Sequence, residues 1–159
     1  MKPKPFKFES YNGNDNFVRD ISTGLIWHRC QNRTLYADTD RSNVVYHSNY
    51  LRYFELGRAT LMRDSNYPYF EIEESGYIYP IIDLSIQFYR PLFYDDLMYI
   101  YTRPNELERV KLKFDYLITY AETGEISCIG YTQHCALNKS RIPVAVDSNT
   151  VDLWKNFPK

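Results

Sequence analysis

An α+β fold, with one long helix packed across a curved antiparallel sheet, is predicted by three features of this sequence. A single helical stripe runs from His47 or Ser48 to about Arg63, with Leu51, Phe54, Arg58 and Leu61 recurring at steps of three or four and Tyr50, Phe54, Gly57 and Leu61 overlapping them. Period-two segments follow it, above all Val110, Leu112, Phe114, Tyr116, Ile118 and Tyr120 alternating with Lys111, Lys113, Asp115, Leu117 and Thr119. The resulting order is a strand, the helix, then four strands. One helix cannot cover both sides of a parallel sheet, which excludes a doubly wound α/β fold.

The elements follow in chain order. Residues 1–24 are polar, with Pro3 and Pro5 early and the run Asn12-Gly13-Asn14-Asp15-Asn16. They read as an irregular N-terminal extension that Phe6, Phe8, Tyr11 and Phe17 pin to the body. The folded domain spans 25–146. Its first strand starts between Leu25 and Cys30 and runs to Ala37. Asp38 to Asn43 are turn formers. Val44-Val45-Tyr46 make a short apolar bridge into the helix, whose cap is Ser48 or its neighbour Asn49. The helix stripe is wide, so the helix is expected to be well buried.

Asn66, Pro68 and a Glu-rich segment through Gly76 read as a loop. Ile78 to Phe88 alternates as a strand with a weak start at Pro80, which cannot donate to a ladder, and Pro91 closes it. Asp95-Asp96 leads into Leu97–Thr102, and Arg103-Pro104-Asn105 turns the chain into the strand that ends at Tyr120. Ala121 to Glu125 reads as a hairpin loop, with Ile126 to Leu137 as its return strand and Arg141-Ile142-Pro143 as its end. The tail, 147–159, is short and polar, with Leu153, Trp154 and Phe157 as docking points. The sheet edges and the face away from the helix need cover, which a second subunit would give.

Bulk composition narrows the function. The 159 residues fit one domain with a real core, and an apolar fraction of 44% excludes wholesale disorder. Lys plus Arg number 19 against 20 acids, so no strongly basic surface for nucleic acid is indicated. The 16 Tyr and 9 Phe suit strands and a sizeable subunit contact, although a compositional bias of the source gives the same count. Three cysteines without a CxxC pair (Cys30, Cys128, Cys135) argue against a disulfide framework or a zinc site. The N-terminal residues lack the apolar run of a secretory signal, and no segment approaches membrane-spanning length. A cytoplasmic location is expected.

The densest polar cluster beside apolar residues is the run from Tyr36 to His47, directly before the long helix. The N-terminus of that helix offers free backbone N–H groups suited to a developing oxyanion, and an Asp a few residues earlier can set a carboxylate beside them. Asp38 and Asp40 share a face if the chain stays extended there, but not in a turn. Taken alone, Asp38-Thr39-Asp40 equally reads as a capping and turn sequence, His47 as structural and Tyr36 as core.

The stretch Tyr36 to Arg58, YADTDRSNVVYHSNYLRYFELGR, resembles the 4-hydroxybenzoyl-CoA thioesterase family. The likeness is greatest to its bacterial acyl-CoA branch, which includes thioesterases linked to the Tol-Pal system. That branch carries a pattern close to Y-x-D-T-D-x-x-G-V-V-Y-H-x-x-Y-x-x-x-x-E-x-x-R, into which Asp38, Thr39, Asp40, Val44, Val45, Tyr46, His47, Tyr50, Glu55 and Arg58 fall. A looser likeness extends over about 28–143. One departure is Asn43, where the family has Gly. Asn tolerates left-handed backbone angles, so the turn survives; if the glycine also admits the thioester arm, the Asn side chain narrows that space.

The resemblance implies a hotdog fold: a long central helix wrapped by a five- or six-stranded antiparallel sheet, paired into homodimers with active sites at the interface and commonly into dimers of dimers. It implies hydrolysis of an acyl-CoA without metal or cofactor. Asp40 acts there as nucleophile or general base, the backbone N–H of His47 as oxyanion donor, its imidazole as an aid to water or the departing thiolate, and Tyr36 as a support for the carboxylate. Glu55 and Arg58 are expected to form an intrahelical pair. Arg90, Arg103, Lys139 and Arg141, at strand ends, are candidates for the CoA phosphates or are simply solvated. Tyr77, Tyr79 and Phe88 line the acyl pocket or the interface. Other readings on the same fold are a CoA-thioester dehydratase, which generally uses a different His and acid motif, and a non-catalytic acyl-CoA-binding or scaffold protein.

Overall fold

The computed structural model describes residues 3–158. Seven strands form one antiparallel sheet in the order β1-β2-β3-β5-β6-β7-β4, where β1 is Phe8–Tyr11, β2 Asn14–Asp20, β3 Ile26–Arg33, β4 Ile81–Phe88, β5 Leu97–Leu107, β6 Lys111–Tyr120 and β7 Ile126–Cys135. The long helix α1, Asn49–Asp64, lies across one face; α2 (Tyr69–Glu74) and α3 (Ser148–Asn156) close one end.

The helix crosses the sheet closely because glycines sit at the crossing. A Cβ on Gly57 would lie 2.4 Å from Thr102 Oγ1 and 2.7 Å from Ile100 Cγ2, so α1 rests almost directly on β5. A Cβ on Gly130 of β7 would meet the Phe54 ring at 2.8 Å, and Phe54 in turn stacks on Tyr116 at 4.2 Å between centroids. Tyr50, Tyr53, Phe54, Gly57, Leu61 and Met62 are the buried stripe of α1, as the spacing predicts. Its first turn is tight: Asn49 N–H bonds the carbonyl of Tyr46 and Leu51 N–H that of Ser48, while the Ser48 side chain makes no cap bond. Left-handed Asn66 (φ 62°) ends it, with Tyr67 N–H returning to the Met62 carbonyl.

Several expectations need correction. Residues 8–20 are not irregular: Asn12 and Gly13, both at positive φ (51° and 71°), make a two-residue turn between β1 and β2, the signature of an Asn-Gly hairpin. That hairpin raises the strand count from the expected five or six to seven. Phe6 and Phe8 fix it to the outer sheet face, where Phe8 stacks on Tyr101 at 4.1 Å; Tyr11 and Phe17 join the inner core. Asn105 does not turn the chain. β5 runs on to Leu107 through a register shift, and Pro104 is tolerated because β3 stops pairing at Thr102 and leaves one side of β5 open. The Glu-rich loop contains α2, and the polar tail forms α3, whose Leu153, Trp154 and the following Phe157 are buried as docking points.

Asp147 caps α3 and anchors it. Its carboxylate accepts from Tyr67 Oη (2.7 Å), Tyr79 Oη (2.5 Å) and Thr150 Oγ1 (2.7 Å). Burial alone would raise its pKa, but these donors outweigh burial and hold it below the ordinary carboxylate value.

Arg58 does not pair with Glu55. Glu55 is exposed, and Arg58 Nη1 donates to Tyr116 Oη at 2.9 Å beneath the helix. The chain continues from Tyr116 Oη to Thr132 Oγ1 (2.7 Å), then to His134 Nε2 (2.8 Å), and from His134 Nδ1 to the Tyr79 carbonyl (2.9 Å). A carbonyl only accepts, so Nδ1 carries the proton and the neutral ring accepts at Nε2. Burial and the Arg58 charge push this histidine down to about 4.

Candidate active site

β3 leads into a 3-10 turn at Tyr36–Asp38, and the chain then folds back on itself. Thr39 bridges Val45, Asp40 N–H bonds the Val44 carbonyl (3.0 Å), and Tyr46 N–H bonds that of Asp38 (2.9 Å). Arg41, Ser42 and Asn43 form the turn between these limbs. Asn43 stands at φ 65°, a left-handed position that favours glycine or asparagine. This small hairpin is tied to the β4–β5 connection by Val45 N–H to the Leu92 carbonyl (2.8 Å) and by a Val44–Phe93 bridge. His47 follows directly, at the mouth of α1.

The two aspartates part company. Asp38 is 2% exposed and is a structural hub, whereas Asp40 is exposed at the turn with Oδ1 accepting from Ser42 N–H at 2.7 Å. The shared-face alternative fails because the 3-10 turn twists the backbone at Asp38. The Asp38 carboxylate accepts from Leu35 N–H (3.0 Å), Tyr53 Oη (2.9 Å) and Arg52 Nη1 (3.2 Å). Its carbonyl also accepts from Asn49 Nδ2 (2.8 Å). Burial, with the Asp38 carboxylate adding to it, raises the Tyr53 phenol well above its ordinary pKa. No local pattern in the sequence marks this hub, since its partners lie up to fifteen residues away.

His47 is exposed, its ring 4.2 Å from that of Tyr46, and the N–H groups of His47 and Ser48 make no hydrogen bond among the described residues. Tyr36 is 78% exposed rather than core, with its ring edge-on to Tyr94 at 5.8 Å. Phe88, Phe93, Tyr94 and Tyr46 are further exposed rings on the segments around the hairpin. Phe88 meets Tyr50 of α1 edge-on at 5.0 Å, which joins the end of β4 to the helix mouth. Tyr77 and Tyr79 lie elsewhere, stacked on each other at 6.4 Å, with Tyr79 committed to Asp147.

The four cations gather into no single patch within the chain. Arg90 pairs with Glu125 and lies over the Tyr120 ring, near the Phe88 end of β4. Arg103 is 3.6 Å from Asp115 and over Trp27, on the outer face. Lys139, whose stem passes beneath Gly76, and Arg141 (φ 62°) follow the far end of β7. Among the described residues no group of three or more His, Cys, Asp or Glu side chains is assembled to hold a metal, and no helix is long and apolar enough to cross a membrane. Burial pushes the Cys30 thiol up to about 11 and Cys128 higher, so neither is poised as a nucleophile.

Such an arrangement can present a carbonyl to a carboxylate on one side and to free helix-terminal amides on the other. The chain is similar to known proteins in sequence and fold. A family profile described as the Thioesterase-like superfamily matches residues 34–150. A putative acyl-CoA thioesterase, YneP of Bacillus subtilis, is 33% identical over 104 residues, covering 65% of this chain and 75% of its own. The 1,4-dihydroxy-2-naphthoyl-CoA hydrolase of Thermosynechococcus vestitus is 32% identical over 116 residues, covering 69% and 77%. The crystal structure of a 1,4-dihydroxy-2-naphthoyl-CoA thioesterase from Synechocystis superposes with a TM-score of 0.76 at 18% identity, over 81% of this chain and 96% of that one, a likeness of fold alone. The sheet-wrapped helix is thus the hotdog fold of thioesterases, enlarged here by the β1–β2 hairpin. On the match across 34–150, this chain belongs to the Thioesterase-like superfamily.

Proposed function

We propose that this protein hydrolyses an acyl-CoA thioester to a carboxylic acid and CoA, using the hairpin of residues 38–46 and the mouth of α1. One observation carries the reading: Asp40 stands exposed on a hydrogen-bonded hairpin whose return limb leads directly into a helix N-terminus, where the His47 and Ser48 amides are unengaged among the described residues. Asp40 attacks the thioester carbonyl or activates water toward it, and the oxyanion is received by the His47 N–H, a donor worth about 3 kcal/mol to the transition state. The His47 imidazole serves the leaving thiolate, and Tyr36 flanks the carboxylate. The run from Tyr36 to Arg58 favours the bacterial acyl-CoA branch that includes the Tol-Pal-linked thioesterases, and the free cysteines suit a reducing cytoplasm.

The site is completed by a second copy of the chain, and two such pairs form the tetramer usual for this fold. β4 is a terminal strand of the sheet with Ile82 49% and Leu84 41% exposed, an unprotected apolar edge in a single chain. Its far end carries Phe88 to Tyr50 near the start of α1, so a subunit that pairs with β4 approaches the helix mouth. For the CoA phosphates, Lys139 and Arg141 are available without breaking an ion pair among the described residues; Arg90 and Arg103 exchange an acid for phosphate.

The test is thiol release from a panel of aliphatic, hydroxyaryl and naphthoyl CoA thioesters. Unsubstituted protein is expected to turn over at least one of them, and Asp40→Asn to lower kcat by on the order of 10³-fold or more with the assembly intact. An intact assembly that hydrolyses none of the panel but binds CoA esters would establish the non-catalytic binding role instead.

A further inference from the structure

We propose that Asp38 is a positioning residue for hydrolysis, setting Asp40 and the His47 amide at a fixed separation; the proposal rests on the thioesterase reading above. Asp38 accepts five hydrogen bonds from three parts of the chain. Its carboxylate takes Leu35 N–H at the exit of β3 and Tyr53 Oη and Arg52 Nη1 from α1, at 3.0, 2.9 and 3.2 Å. Its carbonyl takes Asn49 Nδ2 at 2.8 Å and Tyr46 N–H at 2.9 Å.

Both members of the reacting pair connect to this one residue, Asp40 along the chain and His47 through a hydrogen bond to its neighbour. Asp40 is two residues after Asp38, and its orientation is set by the hairpin that begins there. His47 is one residue after Tyr46, whose amide is held by the Asp38 carbonyl. The carboxylate end meanwhile grips the face of α1 that starts the helix, through Arg52 and Tyr53. Leu92 and Phe93 support the hairpin from its other side, and Leu92 N–H also donates to Tyr50 Oη of α1 at 3.3 Å. Asp38 is therefore the residue that ties the hairpin limb carrying Asp40 directly to α1 by its carboxylate and to the limb leading into His47 by its carbonyl.

The chemistry of the pocket makes the carboxylate hard to replace. All three partners of its oxygens are donors: an amide N–H, a phenol O–H and a guanidinium. An asparagine of the same size must turn an NH₂ toward one of them, losing a bond and setting donor against donor. A displacement of the order of 1 Å between reacting groups costs about 10²-fold in rate.

The experiment measures kcat and KM separately for Asp38→Asn, Tyr53→Phe and Asp40→Asn, using an acyl-CoA the unsubstituted protein hydrolyses, well below each melting temperature. Asp38→Asn is expected to lower kcat about 10²-fold with KM within about 2-fold, and Tyr53→Phe to lower kcat about 5-fold in the same pattern. A merely structural role reduces the folded fraction and leaves kcat per folded molecule unchanged; that result overturns the proposal. Should Asp38→Asn fail to fold, Tyr53→Phe decides alone, and a kcat equal to the unsubstituted value overturns it. If Asp40→Asn is inactive while Asp38→Asn keeps full kcat, positioning fails and the thioesterase reading stands. If the unsubstituted protein hydrolyses no CoA ester, both fall.

Discussion

Gly57→Ala sets two effects of known size against each other. Alanine in the middle of a sixteen-residue helix is favoured over glycine by about 1 kcal/mol on backbone propensity alone. Against that, the added methyl would stand 2.4 Å from Thr102 Oγ1 and 2.7 Å from Ile100 Cγ2. Both neighbours are fully buried, β-branched and held in the middle of β5, so neither side chain can swing clear. Overpacking of this kind costs about 1–3 kcal/mol, and two simultaneous contacts put Gly57 at the upper end, for a net loss of about 2 kcal/mol. Thr102→Ala removes one of the two obstacles, and the hydroxyl it deletes is buried without a partner, so the single change is nearly neutral. In the double variant about 1 kcal/mol should return, because the Ile100 contact remains. Urea unfolding of the four proteins in the cycle measures this. A Gly57→Ala protein at least as stable as the parent, or additive effects in the double variant, would refute the claim that α1 rests on β5 through these atoms. Since His47 leads directly into α1, the same substitution should also slow hydrolysis.

Three other outcomes are expected. His134 and His28 are both held below the ordinary imidazole value, by burial with Arg58 adding to it at His134 and by burial against the opposing pull of Asp64 at His28. The unfolded chain therefore takes up these protons first as pH falls, so stability is full above pH 6.5 and is lost between 6.5 and about 4. His134 accounts for about 3 kcal/mol of that loss, which urea midpoints across this range will show and His134→Gln should remove; a flat profile in the parent contradicts it. Leu84→Lys on the exposed β4 edge should convert the assembly to monomers in sedimentation velocity and abolish turnover, and a parent protein that is already monomeric at micromolar concentration would sink the interface. At Asn43, φ 65° predicts that Gly is tolerated within about 0.5 kcal/mol while Ala costs about 1 kcal/mol, and equal stability of all three would contradict a left-handed turn.

Much of this protein was written along the chain. The 3.6-residue stripe from Tyr50 to Leu61 and the alternation from Val110 to Tyr120 each report which side of an element meets the core, and local periodicity suffices for that. The order of strand, helix and four strands then leaves few packings, and the run from Tyr36 to Arg58 locates the hairpin and the helix mouth. The Asn12-Gly13 pair is an equally local signal for β1 and β2, set in a polar composition that otherwise suits an irregular segment.

What only the tertiary structure decided were the partners of polar groups. Glu55 and Arg58 are neighbours on a helix surface, yet Arg58 turns beneath it to Tyr116, because a phenol fifty-eight residues away offers an acceptor inside the sheet. Asp38 and Asp40 are alike in the sequence and opposite in the fold, one fixed by buried donors and the other held out at a turn. Spacing determines which face of an element a side chain occupies; which group waits for it there depends on how distant segments meet, and no local pattern carries that.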